Sequence, residues 1–185
     1  MKEFYKKLCQ KFDASNSETQ ARFQEFGLTA PRYIDLYAQQ DLNEENFELF
    51  HGNALLVEWM INYEESPAIA TIELRVCFEQ LRSTANISAN MDVALKSMDY
   101  NHLVDQLVQT ITTESTGKLK LVWEGSNRLD SIVDIYIFRY ECQYVKRAPE
   151  PEYPNTGKFE DLEINGQLVE KINSVTEATE FEWDL

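Results

Sequence analysis

The chain has 185 residues, 43% of them hydrophobic, and a formal net charge of −15 at pH 7. This apolar content is enough for one buried core, and because no run of eighteen apolar residues occurs, we expect no membrane span. The acidity disfavours direct nucleic-acid binding, since phosphates carry the same charge. The three cysteines are odd in number and widely spaced, which indicates a reducing compartment and no disulfide framework.

The N-terminal region is predicted to be helical. Apolar residues recur at helical spacing over residues 1–13, with lysines on the other face. This stretch lacks the apolar segment and cleavage site of a signal peptide. A second helix is predicted over residues 18–26, ended by Gly27. The run 31–37 has no clear assignment, and residues 41–53 are expected to form a surface loop or a short helix.

Two strands are predicted in the middle of the chain. Residues 54–61 form a largely apolar run, which is typical of a buried strand. Residues 69–81 alternate apolar and polar side chains, as a half-exposed antiparallel strand does. The polar segment between them contains Pro67 and has the composition of a turn, so we expect a hairpin.

A helix and a second strand pair follow. Apolar residues within 88–113 return to helical spacing. Residues 118–124 and 132–145 then predict a second hairpin. The order predicts an α+β fold, in which two hairpins form an antiparallel four-stranded sheet with helices packed on one face. We assign residues 1–147 to this core domain.

Residues 148–185 are predicted to form an acidic C-terminal arm, with ten acidic and two basic residues. Three prolines within six residues predict a stiff linker, and Asn165-Gly166 predicts a β-hairpin over residues 159–172. Because an isolated hairpin is marginally stable, we expect it to pack on its own domain or on another chain. Its apolar residues and the aromatic tail are the candidate docking residues: Phe159, Leu162, Ile164, Leu168, Val169, Ile172, Phe181 and Trp183.

The chain carries no motif for catalysis: neither a glycine-rich phosphate loop nor a nucleophile elbow, zinc-protease motif or paired-cysteine metal spacing occurs. His102, near Asp99 and Asp105 on the predicted helix, could ligate a metal, but a solvated helix face is the commoner explanation. We therefore assign no catalytic residue, metal or cofactor, and expect no small-molecule ligand and no enzymatic activity.

Charged residues also occur within the predicted strands. Glu58 and Glu73 are expected to face solvent or to pair across the sheet with Arg75 or Arg139.

Three further basic residues are candidates for facing a DNA-filled lumen: Lys118, Lys120 and Arg128. A ring of identical subunits would gather such sparse charges, whereas a monomer would not.

The element order and strand texture resemble those of the neck and tail-completion proteins of tailed bacteriophages, particularly phages of Bacteroidetes-type gut hosts. The resemblance covers about residues 1–146 and is carried by the strands 54–59 and 71–77, the helix 99–111, Gly117-Lys118-Leu119 and the strand 134–144. It implies a virion protein, made in the bacterial cytoplasm, that forms a sixfold or twelvefold homo-oligomeric ring and contacts neighbouring neck, portal or tail proteins. Such proteins carry no catalytic residues.

Two alternatives to a structural subunit remain at this point. A small acidic adaptor or inhibitor that binds a cytoplasmic partner would also carry an acidic tail of this kind. An enzyme of unrecognised type is the other.

Overall fold

The computed structural model describes residues 1–78, 85–127 and 131–146, all within the predicted core domain. Its α-helices are α1 (Lys2–Phe12), α2 (Ser17–Glu25) and α3 (Met91–Val108), and its strands are β1 (Tyr33–Leu36), β2 (Ala54–Asn62), β3 (Ala68–Phe78), β4 (Lys120–Asn127) and β5 (Asp134–Tyr144). Two 3-10 helices, Gln40–Leu42 and Glu44–Phe50, lie between β1 and β2.

The strands form one five-stranded sheet in the order β1-β2-β3-β5-β4. β1 pairs with β2 in parallel, from Tyr33 opposite Ala54 to Leu36 opposite Val57, and the other three pairings are antiparallel. The prediction of an α+β fold is confirmed, but a purely antiparallel, four-stranded sheet is wrong. The unassigned run 31–37 supplies the fifth strand, which makes the sheet mixed.

The predicted helices and hairpin partners agree with the described residues. α1 and α2 lie where they were expected, and Gly27 ends α2 with a positive φ of 64°, a conformation that glycine adopts without a Cβ clash. The Gly27 amide donates to the Gln24 carbonyl at 2.9 Å, which satisfies one of the last carbonyls of the helix. α3 is shorter at both ends than the predicted 88–113.

All three α-helices pack on one face of the sheet. The i, i+4 spacing of Phe4, Leu8 and Phe12 places these residues on one buried side of α1. Burying a side chain of this size stabilises the fold by about 1.5–3 kcal/mol. Phe4, Leu8 and Phe12 belong to the same buried core as residues of α3 and alternate residues of β2, β3 and β5: Tyr100, Leu103, Leu107, Leu55, Val57, Ile72, Leu74, Phe138 and Tyr140.

A polar contact ties α3 to the centre of the sheet. Tyr140 Oη donates to Asp105 Oδ1 at 2.9 Å, and Gln109 Nε2 donates to the same oxygen at 2.8 Å. Burial, followed by the charge of Asp105, raises the pKa of Tyr140, so this hydroxyl stays a donor.

Among the described residues, only one end of the opposite face of the sheet is covered. A second apolar cluster there contains Phe50 from the second 3-10 helix together with strand residues such as Leu56, Cys77 and Ile135. Helical segments therefore contact both faces, which corrects the prediction that helices pack on one face alone. The remainder of this second face carries charged and aromatic side chains.

Candidate interaction surface

The uncovered part of the second face is the candidate functional surface, and we call it the open face. Side chains alternate along a strand, so residues next to core positions such as Val57, Leu74 and Phe138 point away from the α-helices. The pairing registers then align these residues in adjacent strands. The open face consists of Tyr37, Glu58, Met60, Glu73, Arg75, Trp123 and Arg139.

Ion pairs run across the open face. Arg75 Nη2 donates to Glu58 Oε1 at 2.6 Å and to Glu73 Oε2 at 3.4 Å, and Arg139 Nε donates to Glu73 Oε1 at 2.8 Å. Glu58 and Glu73 are directly opposite in the β2–β3 register, a destabilising arrangement for like charges. The two arginines offset this repulsion. Of the two expectations for these acids, solvent exposure or pairing with Arg75 or Arg139, the pairing is observed.

An aromatic ring flanks each arginine. The Arg75 guanidinium carbon lies 4.1 Å from the centroid of the Tyr37 ring, and that of Arg139 lies 5.4 Å from the Trp123 ring. Both distances are within the range of a cation–π contact. Aromatic, basic and acidic side chains thus form a continuous row from Tyr37, directly after β1, to Trp123 in β4.

Gly125 makes room for the Trp123 ring. A Cβ at position 125 would lie 3.0 Å from Trp123 Cζ2 and 3.2 Å from its Cη2, closer than ordinary carbon contacts. The indole therefore lies along β4, where it remains 45% exposed. A larger residue at this position would displace the ring.

The two arginines of the row differ in how far their side chains are buried. Arg75 has a side chain only 14% exposed, whereas that of Arg139 is 45% exposed. Burial lowers the pKa of Arg75, but the hydrogen bonds and charge of Glu58, with contributions from Tyr37 and Glu73, outweigh it and raise the pKa overall. The central guanidinium is thus held charged by its own neighbours.

The sites predicted from the sequence fall into two groups. Lys118 and Lys120 are both exposed, and Lys120 lies opposite Glu141 at the beginning of β4. Arg128 lies outside the described residues. So does the whole arm with its predicted docking residues, Phe159, Leu162, Ile164, Leu168, Val169, Ile172, Phe181 and Trp183.

The structure also shows the surroundings of His102, a candidate metal ligand, and of the buried Cys77. His102 Nε2 lies 2.7 Å from Gln106 Nε2, on the exposed side of α3. Within residues 1–78, 85–127 and 131–146, no three histidine, cysteine or acidic residues are grouped to hold a metal ion. Burial, together with the charge of Asp41, raises the pKa of Cys77 to about 12, so its thiol is a poor nucleophile at neutral pH.

A half-open cleft of about 550 Å³ lies beside α1. Its lining includes Cys9, Asp13 and Arg32. The cleft is therefore lined by a carboxylate, a guanidinium group and a thiol.

The sequence indicated that the acids of the open face could pair with Arg75 or Arg139, but it did not indicate the aromatic members of this face. Tyr37 approaches Arg75 because β1, which ends one residue before Tyr37, pairs with the distant strand β2. Trp123 faces Arg139 because the register shifts between Leu121 and Trp123. Simple alternation from Lys120 would have placed Val122 there instead.

No helix in the part of the chain that the structure describes is long and apolar enough to cross a membrane. No protein-family model matches the sequence, and the search of curated proteins found no match either.

Proposed function

We propose that the protein is a structural subunit that assembles with copies of itself into a ring, in the neck of a tailed bacteriophage between portal and tail. The observation that carries the proposal is the open face, on which an exposed tryptophan and an exposed methionine occur together with two arginines. Met60 is 70% exposed and Trp123 is 45% exposed. Aromatic residues, methionine and arginine are the types enriched in protein–protein interfaces.

Charge supports self-association through this face. Two copies that each carry a net charge of −15 repel one another. On the open face, Glu58 and Glu73 are balanced by Arg75 and Arg139. Contact between charge-balanced surfaces incurs the smallest electrostatic cost, so we propose that subunits meet there.

The features of β4 favour a side-chain contact over strand addition. β4 is an edge strand, but Lys120 is at its beginning and a bulge interrupts it between Leu121 and Trp123. Lysines and bulges on edge strands hinder unlimited pairing with other chains. We therefore propose that the exposed side chains of β4, rather than its whole backbone edge, contribute to the interface.

The arm remains part of the proposal as a prediction from the sequence. Residues 148–185 are proposed to dock on an adjacent subunit or a neighbouring ring protein through their predicted hairpin. Deleting them is expected to leave residues 1–147 folded but to prevent correct assembly. Equal assembly by the truncated protein would contradict this part of the proposal.

A ring would also place several copies of Lys118 and Lys120 around one channel. Both lysines are exposed, which is compatible with proximity to DNA in the lumen. Because the chain as a whole is strongly acidic, we propose non-specific proximity to DNA rather than a binding site.

Two matched methionine variants test the role of the open face. Met60 on β2 is 70% exposed and Met98 on α3 is 65% exposed. Light scattering coupled to size-exclusion chromatography is expected to show weakened self-association for Met60→Asp and no change for Met98→Asp. Equal effects of the two variants would contradict an interface on the open face.

The adaptor alternative predicts a different result in the same measurement. An acidic adaptor or inhibitor would remain a monomer alone and form a tight heterodimer with a partner from the host or phage. A monomer of the full chain at every concentration would therefore favour the adaptor and contradict the ring.

A further inference from the structure

The half-open cleft beside α1 has no role in the proposed assembly. Its volume of about 550 Å³ is within the range of pockets that hold small molecules. Part of its lining is apolar, and most of these apolar residues are buried in the domain, so they form a fixed surface. The apolar lining consists of Phe12, Ala30, Pro31 and Ile34.

Hydrogen bonds join the elements that surround the cleft. Tyr5 Oη on α1 donates to the Ile34 carbonyl in β1 at 3.3 Å. Gln20 Nε2 on α2 donates to the Asp13 carbonyl, at the end of α1, at 3.3 Å. Because these contacts already fix the two sides of the cleft, a ligand would not have to order them, which favours binding.

Arg32 is the only basic residue among the described residues that line the cleft. Its stem lies against the Gly52 backbone, where a Cβ would be only 2.7 Å from Arg32 Cδ, and its amide donates to the Asn53 carbonyl at 3.1 Å. Within the part of the chain that the structure describes, its guanidinium group forms no ion pair, although the chain has 32 acidic residues. This cation is therefore available to an anion in the cleft.

The acidic residue of the lining, Asp13, already has a hydrogen-bond partner. Its Oδ1 accepts from the Ser15 amide at 2.8 Å and from the Ser15 hydroxyl at 2.5 Å. These hydrogen bonds lower the pKa of Asp13, so the group remains a carboxylate at neutral pH. A ligand with two negative charges would meet one cation and one fixed anion, so a single negative charge is the better match.

We infer that this cleft binds a small amphipathic carboxylate, whose charged group pairs with Arg32 and whose apolar part contacts Phe12, Ala30 and Ile34. A guanidinium group matches a carboxylate because the two can form a pair of parallel hydrogen bonds. The sequence predicted no small-molecule ligand, since the lining is assembled from three separate segments, residues 9–14, residue 20 and residues 29–34. The inference does not depend on the proposed ring.

Two fluorescent probes test the requirement for a negative charge. 1-Anilinonaphthalene-8-sulfonate carries one negative charge on an apolar body, and N-phenyl-1-naphthylamine has the same body without the charge. In titrations of the full-length protein, Arg32→Met is expected to weaken binding of the sulfonate about tenfold, the loss expected for a hydrogen-bonded charge, and to leave binding of the neutral probe unchanged. Decanoate is expected to displace the sulfonate from the wild type.

Two further variants locate the bound probe. Arg139→Met is the matched control, because it removes the same charge from the open face, and it is expected to bind both probes as the wild type does. Thr29 is an exposed residue of the lining, and Thr29→Trp is expected to fill the cleft and abolish binding of both probes. Decanoate should also slow alkylation of Cys9, which lines the same cleft. Circular dichroism verifies that every variant is folded.

Several results would overturn the inference. Sulfonate binding that is unchanged in Arg32→Met, or that is weakened equally in Arg139→Met, would exclude Arg32 as the anchor. Equal loss of both probes in Arg32→Met would show that Arg32 maintains the shape of the cleft and does not select a charge. Failure of decanoate to displace the sulfonate or to protect Cys9 would exclude the carboxylate, and none of these results would contradict the proposed ring.

Discussion

The guanidinium carbon of Arg139 lies 5.4 Å from the centroid of the Trp123 ring, across the β4–β5 pair. Arg139 also donates to Glu73, which in turn accepts from Arg75. The exposed tryptophan is therefore connected to the central strands of the sheet. A surface fixed in this way loses less side-chain entropy on binding, which favours association.

The two arginines are expected to differ in their contribution to stability. Arg75→Met removes a largely buried guanidinium from between Glu58 and Glu73, and we expect a loss of about 1–3 kcal/mol in the free energy of unfolding. Arg139→Met changes a half-exposed pair and is expected to cost less than about 1 kcal/mol. Urea denaturation of both variants measures the difference, and the reverse order would show that the row is not organised around Arg75.

Gly125→Ala is expected to move the Trp123 ring. The added methyl group would lie 3.0 Å from the indole, so the ring must shift by a few tenths of an ångström. The indole N–H resonance of Trp123 in a ¹H–¹⁵N spectrum reports the change. Gly117→Ala is the matched control, since its methyl group would meet Gln143 at an ordinary 3.6 Å. An unchanged Trp123 resonance in Gly125→Ala would contradict the described packing.

The three thiols are expected to react in two classes. Cys9 is half-buried beside the cleft, whereas Cys77 and Cys142 are buried and their pKa values are raised by desolvation. A thiol-specific reagent at pH 7.5 should label Cys9 in the folded protein and all three residues in urea. Rapid labelling of Cys77 in the native state, detected by peptide mass spectrometry, would be incompatible with its position in the sheet.

Tyrosine ionisation is expected to destabilise the fold at alkaline pH. Burial raises the pKa of Tyr5 and of Tyr33 to about 12, from 10.0 in the reference state, and the Asp35 carboxylate contributes at Tyr33. The folded state retains these protons more strongly than the unfolded state does, so their stabilising effect is complete below pH 10 and is lost as the pH rises through 12. Urea midpoints at several alkaline pH values should fall across this window, and a constant midpoint would contradict it.

Helices and strands could be predicted from the sequence where the spacing of apolar residues within one segment was enough to identify them. Helical spacing identified α1, and strict alternation identified β3 together with the acids that pair across it. β1 escaped prediction because four residues are too few to show a period, and its parallel partner is formed by a distant segment. The position of Trp123 depends on a bulge, which no local pattern reveals.

The candidate surface was therefore only partly predictable. The Glu58–Arg75 pair follows from the β2–β3 hairpin and from charge, whereas the Glu73–Arg139 pair also needs β5 to lie beside β3, a pairing between distant segments of the chain. Their aromatic flanks follow from tertiary pairing.

The most direct test of the central claim is the mass of the full-length protein in solution, measured by light scattering over a wide concentration range. One chain has a mass of 21.6 kDa. The proposed ring predicts a discrete species of six or twelve chains that grows with concentration and dissociates in the Met60→Asp variant. A mass of one chain at every concentration would contradict it.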